Sequence, residues 1–310
     1  MPHLRAVGAV LLAALCFATT GTAQELADVA ASPVAVGLAR IALGGALLAL
    51  AAGWIVRRAR HGTADPTVRR SGRVPTWVVV LVGAAGVVAY QPTFFEGTSR
   101  NGVAIGTVVA LGSAPVVTGV LDALLHRRAP GVRWTVATAL ALAGVAGVAG
   151  LVGGGAADAG GSVLWSVGAG ASYALYTLSA KELLGRGWSA GSTMGLLFGV
   201  AAAAALPFLV VLAGPWLWTV EGLLLVAWLG VVTTAVAYLL FGWGLARLPA
   251  SDVATLTLAE PLCATLLGVG LLGERLDAAA VAGLVVLAVG LVVLATAPRA
   301  PRGTAVREVA

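Results

Sequence analysis

Charge is what this chain has least of. Lys, Arg, Asp and Glu supply 10% of its 310 residues, against about 25% in an ordinary soluble domain. Hydrophobic residues supply 59%, and the mean hydropathy is +0.98. That scarcity excludes a water-soluble globular protein. Cysteine is nearly absent: Cys16 and Cys263 both sit inside apolar runs, which excludes a disulfide framework and makes a poor metal site. The histidines, His3, His61 and His126, lie near arginines, an ordinary setting for a solvated imidazole, so no metal is expected. No G-x-x-x-x-G-K-[ST] phosphate loop occurs, which excludes ATP hydrolysis by that route. No D-x-x-D or H-x-x-x-H cluster occurs either, so neither a cofactor nor an enzymatic activity is expected.

What the chain has instead is apolar sequence in lengths that suit lipid. Runs of roughly 17–25 residues recur, each long enough to cross a hydrocarbon core of about 30 Å as a helix. They fall at 5–24, 34–56, 76–97, 102–124, 133–152, 161–180, 190–213, 221–246, 250–272 and 278–297. Strand barrels are excluded because barrel strands alternate polar and apolar residues. The first run reads as a span, not a removable leader, since nine more follow. The expected fold is an all-α polytopic membrane protein with ten transmembrane helices.

Basic residues orient it. With the N-terminus in the cytoplasm, 16 of the 19 Lys and Arg residues fall in cytoplasmic segments. The outer loops hold Arg100 and Arg275, and Arg40 lies within the second span. Both termini are then cytoplasmic, at an inner (plasma) membrane. The net charge of +6 follows from topology and attraction to anionic lipid, so no nucleic-acid partner is expected.

The chain also repeats itself. A Gly-rich linker at 153–160 separates a five-span half, 1–152, from a second, 161–297, which a tail at 298–310 follows. Pro115 and Pro261 are 146 residues apart, as are Gly144 and Gly290; Tyr90 and Tyr238 are 148 apart. Five is odd, so the halves enter the membrane from opposite sides. Such inverted-topology repeats recur in secondary transporters, around a site near the bilayer midplane.

Two segments carry a family resemblance. "AYQPTFFEGTSRNGVAIGTVVALGSAPVVTGVL" (89–121) and "AYLLFGWGLARLPASDVATLTLAEPLCATLLGVGLLGERL" (237–276) resemble the two halves of an EamA-type member of the drug/metabolite transporter superfamily. "GLARIALGGALLAL" (37–50) fits the same pattern. The resemblance implies a ten-helix carrier, commonly an exporter of amino acids or related metabolites. It also implies a cavity among the first, third, fourth, sixth, eighth and ninth spans, and a homodimer face on the fifth and tenth.

Glu260 and Pro261 stand out within the ninth span. A carboxylate at mid-bilayer costs at least about 2.5–3.5 kcal/mol unless it faces protein or water. Thr257, Glu260, Cys263 and Ala264 form one stripe at helical spacing. Pro261 lacks an N–H and is expected to leave the Thr257 carbonyl unpaired. Glu260 has two readings: a cavity group binding a proton or a cationic substrate group, or a packing carboxylate beside a kink. Further substrate-binding candidates are Thr20, Gln24, Tyr90, Gln91, Phe95, Tyr173, Tyr176, Tyr238 and Thr257, a set that suits a zwitterion with an apolar side chain. Kinks are expected at Pro92, Pro115 and Pro261. Arg40 and Glu96 are expected to pair, either as a gate or as a static contact that orients their helices. The function expected is a secondary carrier for a small molecule, with a proton as possible coupling ion. The alternatives are a polytopic membrane enzyme, or a permease or channel for another solute.

Overall fold

The computed structural model describes residues 2–61, 72, 74–101, 103–127, 130–149, 163–273 and 276–296, and every regular element among them is helical. The linker at 153–160 and the tail at 298–310 lie outside the described residues, as do Glu274 and Arg275. The first seven expected spans are occupied by α1 (Pro2–Ala27), α2 (Pro33–His61), α3 (Thr76–Asn101), α4 (Val103–His126), α5 (Val132–Val148), α6 (Val163–Gly185) and α7 (Ala190–Leu212). A 3₁₀ turn, Pro215–Trp218, leads into α8 (Val220–Gly230), which a π-helical segment, Val231–Val236, joins to α9 (Ala237–Leu245). The ninth run is broken into α10 (Ala250–Leu256) and α11 (Ala259–Leu267), followed by a π segment, Gly268–Leu272. Gly273 ends that segment in the left-handed conformation, at φ 71°, which glycine adopts at little cost. The last helix is α12 (Ala278–Ala295).

Eight helices among the described residues are long and apolar enough to cross a membrane. The other two differ for separate reasons. α5 has 17 residues and ends at Val148, short of the expected 152. α6 has 23 residues but is the more polar helix, burying Ser166, Ser172, Thr177 and Ser179 inside the bundle. It also runs to Gly185, five residues past the expected end. That extension carries Lys181, whose Nζ donates to the carbonyls of Leu245 (2.7 Å) and Leu248 at the C-terminal end of α9, satisfying groups that a helix end leaves open. Arg186 Nε bonds Glu182 at 2.8 Å and its Nη1 reaches Thr76 Oγ1 at 3.3 Å, tying α6 to the start of α3.

α2 packs along α7, α3 along α6, and α5 along α12; α4 also rests on α6, while α1 contacts α8, α9, α10 and α11. The α5–α12 contact takes up Gly144 and Gly147 from the small residues of 138–150. A Cβ on Gly144 would collide with the backbone of Leu287, and one on Gly290 with the backbone at Ala137 and Ala141. The small stripe that favours close helix approach is therefore filled from within the chain. Large apolar side chains such as Leu50, Trp54, Leu124, Val211 and Val285 point outward. In water such a surface is a liability; in a bilayer it is the lipid-facing side.

Candidate functional site

The helices converge on a cavity of about 70 Å³, lined by Phe17 (α1), Arg40 (α2), Tyr90 (α3), Ala110, Leu111 and Ala114 (α4), Tyr173 and Tyr176 (α6), Tyr238 (α9), and Thr257, Leu258 and Glu260. That is room for about two waters at roughly 30 Å³ each. A smaller space of about 30 Å³ adjoins it, sharing Arg40, Tyr90, Tyr176 and Tyr238 and adding Gln91, Phe198 and Thr234. The aromatic wall is continuous. Phe198 and Tyr238 lie 4.0 Å apart between ring centroids, Phe17 and Tyr238 5.1 Å, and Tyr173 and Tyr176 5.0 Å.

The broken ninth run places Glu260. Thr257 and Leu258 have ψ of −14° and −4°, well away from the helical value near −42°, so the chain turns tightly between α10 and α11. Pro261 has no N–H to offer the Thr257 carbonyl, but the expectation that this carbonyl is left unpaired is not met. The Glu260 N–H donates to it at 2.9 Å, a short-range bond that replaces the missing helical one. The Thr257 hydroxyl donates to the Ala254 carbonyl at 2.8 Å and lies 3.0 Å from the Tyr173 hydroxyl. A hydroxyl has one proton, so Tyr173 is the donor to Thr257. By the same reasoning Thr255 donates to the Ser251 carbonyl (3.1 Å) and accepts from Thr138 at 2.9 Å. Side chains of α5 and α6 thus hold the segment just before the break and at it. By contrast, α3 and α4 continue without interruption through Pro92 and Pro115.

Arg40 is positioned by the π segment. Its Nε donates to Thr234 Oγ1 at 3.1 Å and its Nη2 to the Thr233 carbonyl at 3.1 Å. The Thr233 and Thr234 hydroxyls both donate to the Leu229 carbonyl at 2.8 Å. These side chains compete with the helical ladder, and the widened turn is sustained because arginine takes up a carbonyl there. π segments of this kind are frequent at functional sites. In this conformation Arg40 is thus held by Thr233 and Thr234 and not by the expected Glu96. Glu96 is four residues from Arg100 and bonds it instead, both well exposed. The helical spacing that brings Arg100 within reach of Glu96 competes against a partner on another helix.

Of the expected substrate-binding residues, Tyr90, Tyr173, Tyr176, Tyr238, Thr257 and Glu260 line the larger cavity, and Gln91 the smaller. Thr20, Gln24 and Phe95 line neither. Thr20 and Gln24 share the helical face of Phe17, one and two turns further along α1, and the Gln24 side chain donates to the Thr20 carbonyl at 3.3 Å. Phe95 lies one turn past Gln91 and packs edge-on against Phe94 at 5.5 Å. Phe17, Phe198, Leu111 and Leu258 were not anticipated in the lining, whereas Thr234, one turn before Tyr238 on the eighth span, lines the smaller space. The offset of 146 residues pairs Ala114 with Glu260, and both line the cavity; that spacing was the available signal for Ala114. Among the described residues no cluster of three or more His, Cys, Asp or Glu side chains could hold a metal ion.

A multi-pass helical membrane protein whose helices enclose a charged, aromatic-walled cavity is the class that fold and site define. The EamA-like transporter family model matches residues 4–150 and 161–296, and the chain belongs to that family. It is 38% identical over 290 residues to the uncharacterized transporter YwfM of Bacillus subtilis, covering 94% of this chain and 93% of that protein. It is also 31% identical over 133 residues to an uncharacterized transporter of Archaeoglobus fulgidus, covering 42% of this chain and 46% of that one. A crystal structure of a protein with 20% identity superposes at a TM-score of 0.72, covering 93% of this chain and 95% of that one, which shows the shared fold. The protein is thus a membrane transporter that works on a small molecule within a lipid bilayer.

Proposed function

We propose that this protein is a secondary carrier that exports small metabolites, with amino acids foremost, across the inner (plasma) membrane by alternating access. The observation that carries the proposal is the cavity in which Arg40, Glu260 and four tyrosines converge from both halves of the chain. Its size supports the reading too. About 70 Å³ is far below the roughly 300–1,000 Å³ of ligand pockets, so this is a contracted state that substrate must widen.

Ten crossings with both termini in the cytoplasm make the two halves inverted repeats, joined at 153–160. The packing supports this through pseudo-two-fold exchange. When each helix is swapped for its counterpart five spans on, α3–α6 becomes the contact of α8 and α9 with α1. Likewise α4–α6 becomes the contact of α10 and α11 with α1, while α2–α7 and α5–α12 map onto themselves. The two family matches, one per half, agree with it. Arg40 on α2 bonding to the π segment after α8 crosses between the halves, and rocking of one half against the other has to break it. Phe95, Thr20 and Gln24, one to two turns along α3 and α1 from the cavity, then belong to the outward path. The outer valines of α12 are left to lipid or to a second copy in a homodimer.

Glu260 is the candidate proton carrier. Arginine and tyrosine are the other cavity-lining groups with exchangeable protons, and both side-chain types hold them more tightly than a carboxylic acid does. Counterflow of labelled neutral amino acids in proteoliposomes, with equal and unequal pH across the membrane, tests the reading. Wild type exchanges them and responds to the pH gradient; whatever exchange Glu260→Gln retains no longer responds. Identical pH behaviour of the two proteins refutes coupling through Glu260. No exchange of any amino acid by wild type refutes the substrate class.

A further inference from the structure

We infer that the substrate is held as a zwitterion, its carboxylate on the Arg40 guanidinium and its ammonium on the Glu260 carboxylate. The inference rests on the carrier reading above and names how that cavity chooses its cargo.

Both charges line the same cavity, yet they are not joined. The ion pairs Arg100–Glu96 and Arg186–Glu182 lie away from the cavity, and neither involves Arg40 or Glu260. What holds Arg40 back is its side edge: Nε and Nη2 are committed to Thr234 and to the Thr233 carbonyl across the bundle. A guanidinium has five N–H donors in a planar fork. With the side edge taken, the end edge formed by Nη1 and the second N–H of Nη2 remains, and two parallel donors are the geometry that binds a carboxylate bidentately. Glu260 is the complement. Its carboxylate accepts no hydrogen bond from any described residue, although it sits on a segment whose other groups, Thr257 and its carbonyl, are fully engaged. An ionised carboxylate only accepts, so the group it takes is a donor, and an ammonium is the donor that also answers its charge.

Neutrality argues the same way. Arg40 and Glu260 cancel, so a solute with no net charge but separated ends satisfies both. An amine without a carboxylate leaves Arg40 uncompensated inside the bundle, and an acid without an amine leaves Glu260 so. Truncating one partner of a buried charge pair is costly chiefly because the other charge is left alone. The tyrosines add faces that attract an ammonium. They also add apolar wall for the substrate side chain, which must part the rings of Tyr173, Tyr176 and Tyr238 to enter. Because Arg40 belongs to the first half and Glu260 to the second, a bound zwitterion spans the two halves.

The test uses matched ligands on the full-length wild-type protein, so that it does not depend on a variant folding. The common amino acids are first ranked by thermal stabilisation of the detergent-solubilised protein. The best binder is then compared with its decarboxylated amine and its deaminated acid; for leucine these are isopentylamine and 4-methylpentanoate. Each truncated ligand is expected to bind about 100-fold more weakly. In a second arm Arg40→Gln binds the amine better than the amino acid, and Glu260→Gln the acid. Truncated ligands within about threefold of the amino acid on wild type overturn the clamp. If the amine or the acid alone is the best ligand, the carrier reading survives and the clamp does not. If no amino acid, amine or acid stabilises the protein, both fall.

Discussion

The turn that carries Glu260 can be tested through the pair of hydroxyls that pins it. Tyr173 donates to Thr257, and Thr257 donates to Ala254. The two residues are therefore not equivalent. Tyr173→Phe removes one neutral hydrogen bond and leaves Thr257 still bonded to its own carbonyl, a loss of about 1 kcal/mol. Thr257→Val removes both bonds and strands the Tyr173 hydroxyl and the Ala254 carbonyl. Cavity water can replace part of that loss, which puts it at about 2 kcal/mol. At roughly 2–4 °C per kcal/mol, thermal unfolding in detergent, followed by tryptophan fluorescence at one scan rate, separates the two. The double variant shows a coupling of about 1 kcal/mol, since the shared bond is counted once, and Thr257→Ser stays close to wild type. A Tyr173→Phe loss equal to or larger than that of Thr257→Val would refute the assigned direction of the bond. Strict additivity would refute the bond itself.

Other outcomes follow from the same contacts. Gly144→Leu and Gly290→Leu each push apart α5 and α12, because the added side chain meets backbone. A loss of about 1–3 kcal/mol or more is expected for each, read as a lower unfolding temperature. Lys181→Met uncaps the end of α9 and removes two charge-assisted bonds, at a cost of about 1.5–3 kcal/mol in the same assay. Glu96→Gln changes stability by less than about 1 kcal/mol, as expected of an exposed pair. Its effect on transport adds independently to that of Arg40→Gln; coupling between the two would restore the Arg40–Glu96 contact to the transport cycle. A single cysteine replacing Asp65, in a background lacking Cys16 and Cys263, is labelled only from the cytoplasmic side. One replacing Ala156 is labelled only from outside, and labelling of both from the same side refutes inversion of the halves.

How much of this was legible in the chain depends on how local each property is. Thr257, Glu260 and the four tyrosines could be picked out because polar groups within long apolar runs are expensive, and the cost is visible residue by residue. Thr20 and Gln24 carried the same signal, and Phe95 followed Gln91 at helical spacing; all three lie on cavity-facing helices, but which turn of a helix reaches the cavity is set by how far its neighbours slide along it. Phe17 and Leu258 carried no signal, since an apolar residue facing a cavity looks like one facing lipid. The partners Arg40 has in this conformation carried no signal for a similar reason. Glu96 is a charged residue on a nearby span, whereas the actual acceptors are a threonine hydroxyl and a backbone carbonyl exposed by a π segment.

By itself the sequence determined that this protein is a helical membrane transporter of the EamA-like family. Hydropathy summed over about twenty residues is a local quantity, and lipid permits a helix to form wherever that sum is high. It also determined where the duplicated landmarks fall, because an offset needs only counting. The tertiary structure alone decided which faces meet: that Gly144 and Gly290 are spent inside the chain, and that the break at Thr257 is pinned by Tyr173. It likewise decided that Arg40 and Glu260 share a cavity without touching. Those outcomes depend on the rotation and depth of each helix relative to the others, which close packing and hydrogen bonds between distant residues set.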